Sequence, residues 1–219
     1  MINIKKLTKR YTKFREAANF KMKPLEEKDG KIYFMGCVVE DEEKKYYVGD
    51  DFINISFSAK NELSSALSNL FPLKFKVRGK QAASIEGVLQ GIKYKDKQLQ
   101  NLVLEYSGGF AYKTRAANTT NPWFKTGILY WQGQPIDRFS KDYQEFLDEL
   151  YVSALTNPIY RESLLATGNK YLLHHIGKSE ETVLTRKEYE ERLNTLRDFA
   201  KIVYKEKNNE ELCDFNSER

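Results

Sequence analysis

Glu86, Gln90 and Lys93 stand at i, i+4 and i+7 in the stretch Ser84-Ile85-Glu86-Gly87-Val88-Leu89-Gln90-Gly91-Ile92-Lys93. On a helix that spacing puts a carboxylate, an amide and an amine into one space at the edge of a core. A carboxylate held there can stabilise developing positive charge or activate a water, and an amine can hold an anion. Ile85, Val88, Leu89 and Ile92 supply the adjacent apolar stripe that would fix the helix. Periodicity by itself favours a plainer alternative, a boundary helix whose Glu86 and Lys93 are only solvated.

Other segments mix glycine, polar and aromatic residues in a way that could stack a base or sugar and hold phosphates. They are Leu67-Ser68-Asn69, Ala111-Tyr112-Lys113-Thr114-Arg115, Tyr130-Trp131 through Ile136-Asp137-Arg138, and Leu172 through Gly177-Lys178. The sequence holds no P-loop, dinucleotide fingerprint, nucleophile elbow or metalloprotease motif. His174 and His175 are neighbours and so point apart, which predicts one buried and one solvated side chain, not a metal site. Cys37 and Cys213 lie too far apart in sequence to suggest a disulfide framework or a zinc site. No cofactor is expected.

The elements that must position these residues read as β-rich first and helical afterwards. Ile32 to Val39 and Tyr46 to Val48 around the charged turn Asp41 to Lys45 predict a hairpin, and Phe52 to Phe57 a third strand. Asn61 to Leu67 predicts one or two helical turns, Leu73 to Val77 a strand, and Leu99 to Tyr106 a helix broken at Ser107-Gly108-Gly109. Beyond Pro135 the chain reads as helical. Tyr143, Phe146, Leu147, Leu150 and Tyr151 line one helix that ends at Asn157-Pro158, and Tyr160 to Thr167 form another. Thr185 and Glu188 make a capping box ahead of Tyr189, Leu193, Leu196, Phe199 and Val203. The fold class expected is mainly α within α+β, with a small antiparallel sheet from the N-terminal third. The expected division is an extension over 1–57 packed on a helical body over 58–205, then a frayed polar tail over 206–219.

A chain of 219 residues can bury a sizeable core, and a formal charge of +5 spread without a Lys/Arg block permits a phosphate-bearing ligand without demanding one. With no leader-like or bilayer-length apolar run, the expectation is a cytoplasmic protein with no membrane partner.

The order of motifs resembles one family. Leu67-Ser68-Asn69, Phe71-Pro72-Leu73, Val77 to Gly79 and Ser84-x-Glu86-x-x-x-Gln90-x-x-Lys93 look like the opening of the NADAR or YbiA-like family. Leu164-Leu165-Ala166-Thr167-Gly168 with Leu172-Leu173-His174-His175 looks like its penultimate helix and the following loop. The resemblance runs from about Ser58 to Phe199 and implies a multihelical domain that cleaves N-glycosidic bonds to ribose. Its implied substrates are ADP-ribose on guanine in nucleic acid, as removed by antitoxin partners of DNA ADP-ribosyltransferase toxins, or small ribosylated metabolites such as riboflavin intermediates or NAD-derived nucleotides. A module that binds ADP-ribose or nucleic acid without catalysis is the alternative from another class. By position Glu86 matches the catalytic glutamate, and Lys93 is its companion, either on the pyrophosphate or as a Schiff-base amine. Ser68, Asn69, Ser84, Gln90, Lys113 and Tyr143 stand on the matching motifs as substrate-binding candidates, and the glycine-marked polar and aromatic segments add Arg115, Trp131, Arg138 and Lys178, although the Trp131 to Arg138 segment and the extension before Ser58 lie outside the family pattern. At least one of Lys113, Arg115 and Arg138 is expected on a phosphate. The acidic residue and Trp-Gly that follow the penultimate helix in many members are absent here; Gly177-Lys178-Ser179-Glu180-Glu181 occupies that place, which leaves Glu180 as the candidate substitute for the aspartate.

Overall fold

Short turns with left-handed backbone divide the first part of the chain. In this computed structural model, residues 3–43, 45–113, 123–175 and 182–217 are described, with 112 and 205–217 as backbone only. Helix α1 (Ile4–Ala17), capped by Asn3, leads into strands β1 (Glu26–Lys28), β2 (Lys31–Phe34) and β3 (Cys37–Glu40), which form an antiparallel sheet in that order. The sequence reading ran Ile32 to Val39 as one strand. Met35 and Gly36 split it, with φ of 49° and 80°, the two-residue turn whose twist suits a hairpin. Across the charged turn the described residues form the bridge between Glu40 and Tyr46, the bond from Tyr47 N–H to the Val39 carbonyl, and bonds from Asp41 N–H to the Lys45 carbonyl at 3.3 Å and from Lys45 N–H to Asp41 Oδ1 at 3.0 Å.

Strand β4 (Phe52–Asn54) does not extend that sheet as expected. It pairs in parallel with β9 (Tyr171–Leu173), and all its residues are buried, so no face was left to mark it by alternation. Helix α2 (Glu62–Ala66), the hairpin β5 (Phe75–Val77) and β6 (Lys80–Ala82), and helices α3 (Ile85–Gly91), α4 (Lys97–Leu104) and α5 (Gly108–Lys113) follow. Helix α6 (Trp123–Thr126) precedes a hairpin of β7 (Ile128–Trp131) and β8 (Gln134–Asp137), where the sequence reading had helix from Pro135 on. Helix α7 (Lys141–Ala154) is capped by Ser140, and α8 (Pro158–Ala166) is capped by Asn157 with proline in its first turn. The last helix, α9 (Arg186–Ser217), carries its backbone through residues 206–217, which the sequence reading had as a frayed tail. The architecture is α+β and mainly helical, with one three-stranded and three two-stranded sheets among the described residues.

Helix α7 occupies the middle. Tyr143, Phe146, Leu147, Leu150 and Tyr151 are all fully buried, and α1 and α9 pack against α7. Asp148 lies on this helix with no exposed surface. It accepts bonds from Arg15 Nε at 2.9 Å, Arg15 Nη2 at 3.1 Å and Thr12 Oγ1 at 2.9 Å, all on α1, and pairs with Arg192 of α9 at 3.0 Å. The N-terminal segment is thus joined to the helical body by α1 on one side and by β4 against β9 on the other.

Asp148→Ala would leave two guanidiniums facing a dry gap. Removing one partner of a buried pair in this way destabilises by about 3–5 kcal/mol. A urea unfolding midpoint close to that of the parent would show that α1 is not held by this carboxylate.

Candidate active site

Backbone approach decides where α3 sits. Ser84 caps it, with Oγ accepting from Gly87 N–H at 2.8 Å and donating to the Tyr106 carbonyl at 2.7 Å. A Cβ on Gly87 would come within 2.7 Å of that same carbonyl oxygen, so glycine is what allows α3 to lie this close to the end of α4. Ile85, Val88, Leu89 and Ile92 are buried as their spacing predicts. The first turn is also tied outward, because Glu86 N–H donates to the Asn69 carbonyl at 2.8 Å and Gly108 N–H donates to the next carbonyl, Leu70, at 2.7 Å.

On the polar stripe, Gln90 Nε2 donates to Glu86 Oε1 at 2.7 Å and Lys93 Nζ donates to Gln90 Oε1 at 2.7 Å. An ammonium can only donate, so the oxygen of Gln90 must face Lys93 and its NH2 must face the carboxylate. Gln90 and Lys93 are each 4% exposed, whereas Glu86 is half-buried. Lys93 Nζ lies 5.7 Å from the centre of the Trp123 ring, which adds an aromatic face to its surroundings. The three residues form a relay that starts in the core and ends at a half-buried carboxylate.

Tyrosines from α7 and α9 hold the opposing loop. Tyr151 Oη donates to Asn69 Oδ1 at 3.0 Å, and Tyr189 Oη donates to the Leu67 carbonyl at 2.9 Å. Burial raises both hydroxyl pKa values well above the usual range, and the charge of Glu86 adds to the rise at Tyr189. Ser68 Oγ accepts from Leu70 N–H at 3.3 Å and so shapes this loop from within. The His174 ring stands edge-on to Tyr189 with centroids 5.3 Å apart, and its Nδ1 contacts the Ile55 carbonyl. A carbonyl only accepts, which assigns the proton to Nδ1 in the neutral ring. Burial lowers the His174 pKa. His175 instead meets Glu40, through Nδ1 at 2.9 Å. His174 was outside the expected binding set, and its type and spacing gave no sign of the contact with Tyr189.

Several expected contacts are employed elsewhere. Ser84 is a buried cap with its hydroxyl used twice. Tyr143 is fully buried, its hydroxyl donating to the Val183 carbonyl, and Trp131 packs on Phe146 at 5.4 Å, so both are core aromatics. Arg138 forms a two-pronged pair with Glu188 at 2.9 and 2.7 Å and donates to the Thr182 carbonyl at 3.0 Å, which neutralises the charge expected on a phosphate. Lys93 meets Gln90 and lies buried behind it, not out on a pyrophosphate. Glu86, Gln90 and Asn69 are brought together, and Lys113 is exposed at the end of α5. Arg115, Lys178 and Glu180 lie outside the described residues.

The family described as Bacteriophage protein GP30.3 matches residues 61–198. An uncharacterized 17.1 kDa protein in the Gp30-rIII intergenic region of Enterobacteria phage T4 is 34% identical over 139 residues, covering 62% of this chain and 90% of that protein. Among solved structures, the NMR structure of the E. coli protein YbiA is similar with a TM-score of 0.44 and 18% identity, covering 77% of this chain and 94% of that one. Glu86, Gln90, Lys93, Asn69, His174 and Tyr189 all fall inside the matched span.

The lowered His174 pKa sets a pH dependence. The unfolded imidazole takes its proton near 6.5 and the folded one only at lower pH, so the stability contributed by the neutral ring is complete above about 6.5 and is lost as pH falls below it. Burial raises the carboxyl pKa of Glu190, which accepts from His174 N–H at 3.1 Å, and this changes stability in the opposite direction. The difference between parent and His174→Asn therefore isolates the ring. Unfolding midpoints taken from pH 8 to pH 5 should fall more steeply for the parent, and parallel curves would rule out a buried neutral imidazole.

Proposed function

The chain belongs to the Bacteriophage protein GP30.3 family, and from that premise we propose that it is a hydrolase of ribose C1–N bonds that releases ADP-ribose from guanine in nucleic acid. The observation that carries the reading is the relay itself. Glu86 is a half-buried carboxylate whose Oε1 is held at 2.7 Å by an amide, and that amide is oriented by a buried ammonium. The resemblance of Ser84-x-Glu86-x-x-x-Gln90 to the NADAR motif adds the substrate class.

The chemistry follows from a fixed negative charge. As the C1–N bond lengthens, its electron pair leaves with the base nitrogen and positive charge grows on the ribose carbon and ring oxygen. Glu86 stabilises that charge without having to reorient, since Gln90 already holds it. A water then forms the new bond to C1 and gives its proton to Glu86, and that proton passes through solvent to the nitrogen of the released base, which restores the carboxylate. In this scheme Lys93 is a positioning residue, because its ammonium is engaged by Gln90. The Schiff-base alternative would require that ammonium to lose its proton and leave the amide. Hydrolysis of small ribosylated metabolites would use the same carboxylate, and substrate comparison separates the two.

Glu86→Gln retains size and hydrogen bonding, so affinity should be kept while single-turnover release of ADP-ribose from modified guanine falls by about a hundredfold or more. At a boundary position, the effect on stability should stay under about 1 kcal/mol. Lys93→Met should lower the rate on the order of tenfold with substrate affinity retained, and borohydride should trap no adduct on the parent protein. Near-normal turnover by folded Glu86→Gln would remove the mechanism, and a borohydride-trapped adduct at Lys93 would replace it with the amine route.

A further inference from the structure

Beside the loop that receives α3, one phenylalanine stands largely in water and a second is partly exposed. Phe110 on α5 is 74% exposed and Phe57 is 37% exposed. Burying a phenylalanine ring stabilises a fold, so a ring left as open as Phe110 is stability forgone unless something covers it. Their place in the fold relates them to the candidate site. Gly108 N–H holds the Leu70 carbonyl at 2.7 Å, while the preceding carbonyl, Asn69, receives Glu86 N–H at 2.8 Å. A Cβ on Gly108 would lie 3.6 Å from Phe57 Cζ, which sets the second ring against the start of the same helix. Lys113 follows Phe110 by three residues on α5, the spacing that makes helical neighbours, and it too is exposed.

We propose that Phe57, Phe110 and Lys113 form a nucleotide-binding rim that engages single-stranded nucleic acid next to the base held at Glu86. A flat ring offers any nucleobase a stacking face, and a neighbouring ammonium meets the phosphate that comes with it. The exposed ammonium of Lys113, three residues from Phe110 on the same helix, favours a phosphate-bearing partner over an apolar peptide at this edge. The inference deepens the proposed activity by naming a single strand as the form of nucleic acid engaged and the residues that engage it. It rests on that reading for the identity of the base at Glu86.

The test separates the two. Fluorescence anisotropy is measured with an unmodified, end-labelled oligothymidylate of about ten nucleotides and its oligouridylate counterpart, for the parent and for Phe110→Ala, Phe110→Leu, Phe110→Trp and Lys113→Gln. The expected results are salt-dependent binding by the parent, loss on the order of tenfold in Phe110→Ala and Phe110→Leu, retention in Phe110→Trp, and a salt slope shallower by about one in Lys113→Gln. The DNA and RNA arms show which strand is preferred. No detectable binding by the parent, full binding by Phe110→Ala, or binding by Phe110→Leu equal to the parent would overturn the rim, the last indicating an apolar partner contact. Because binding is read without turnover, an inactive protein that passes these tests would overturn only the catalytic reading, and an active one that fails them only the rim.

Discussion

Asp148 is a fully buried carboxylate on the central helix, and the register of the helices that hold the loop beside Glu86 depends on it. Its partners come from both neighbouring helices, Arg15 and Thr12 from α1 and Arg192 from α9. A buried pair of this kind gives modest net stability relative to apolar packing, but sliding or rotating a helix would strand a charge. It therefore fixes register. Tyr151, one turn along α7 from Asp148, holds Asn69, and Tyr189, one turn before Arg192 on α9, holds Leu67. The loop so held presents the carbonyl that anchors Glu86 N–H. The carboxylate of the site is thus placed by a second carboxylate that never meets solvent.

Much of the local structure was legible because it depends on neighbours in sequence. The apolar stripe of α3 and the Glu86–Gln90–Lys93 stripe beside it follow from helical spacing alone, and both are present. The capping box is present as well, with Thr185 N–H donating to Glu188 at 2.7 Å and Glu188 N–H to Thr185 Oγ1 at 3.2 Å. What could not be read was how one residue serves two partners. Glu188 also neutralises Arg138 and accepts from Gln144 Nε2 at 2.7 Å, so a side chain recognisable as a cap is at the same time the reason an arginine is withdrawn from ligand binding. Desolvation pushes the Glu188 pKa up, but the hydrogen bonds and charge of Arg138, with the donors of Thr185 and Gln144, outweigh it and leave the pKa lowered.

Strand errors have a related cause. Ile32 to Val39 contains strong β-formers on both sides of Met35-Gly36, and a two-residue turn leaves little mark when one of its members is an ordinary apolar residue. Strand β4 was assigned to the wrong partner because parallel pairing joins segments distant in the chain, and Phe52, Ile53 and Asn54 are buried on both faces. The site aromatics failed for another reason. Trp131 and Tyr143 have the residue type of a stacking platform and the environment of a core, and only the latter is decided by tertiary packing.

The span shared with the phage family, 61–198, contains Asp148 and Arg192 but not Arg15. Within that span the two opposite charges already balance each other. Bringing α1 against α7 adds a further guanidinium to a dry environment, which would leave an uncompensated positive charge if nothing else changed. Glu191 supplies the balance, lying 3.3 Å from Arg15 on the side away from the core. Arg15 and Arg192 are then matched by Asp148 and Glu191, and desolvation of Arg15 is outweighed by these carboxylates, whose net effect is to raise its pKa. The N-terminal helix can therefore dock on α7 and α9 without disturbing the pair on which the site loop depends, because it brings a cation to a place where a second anion already stands.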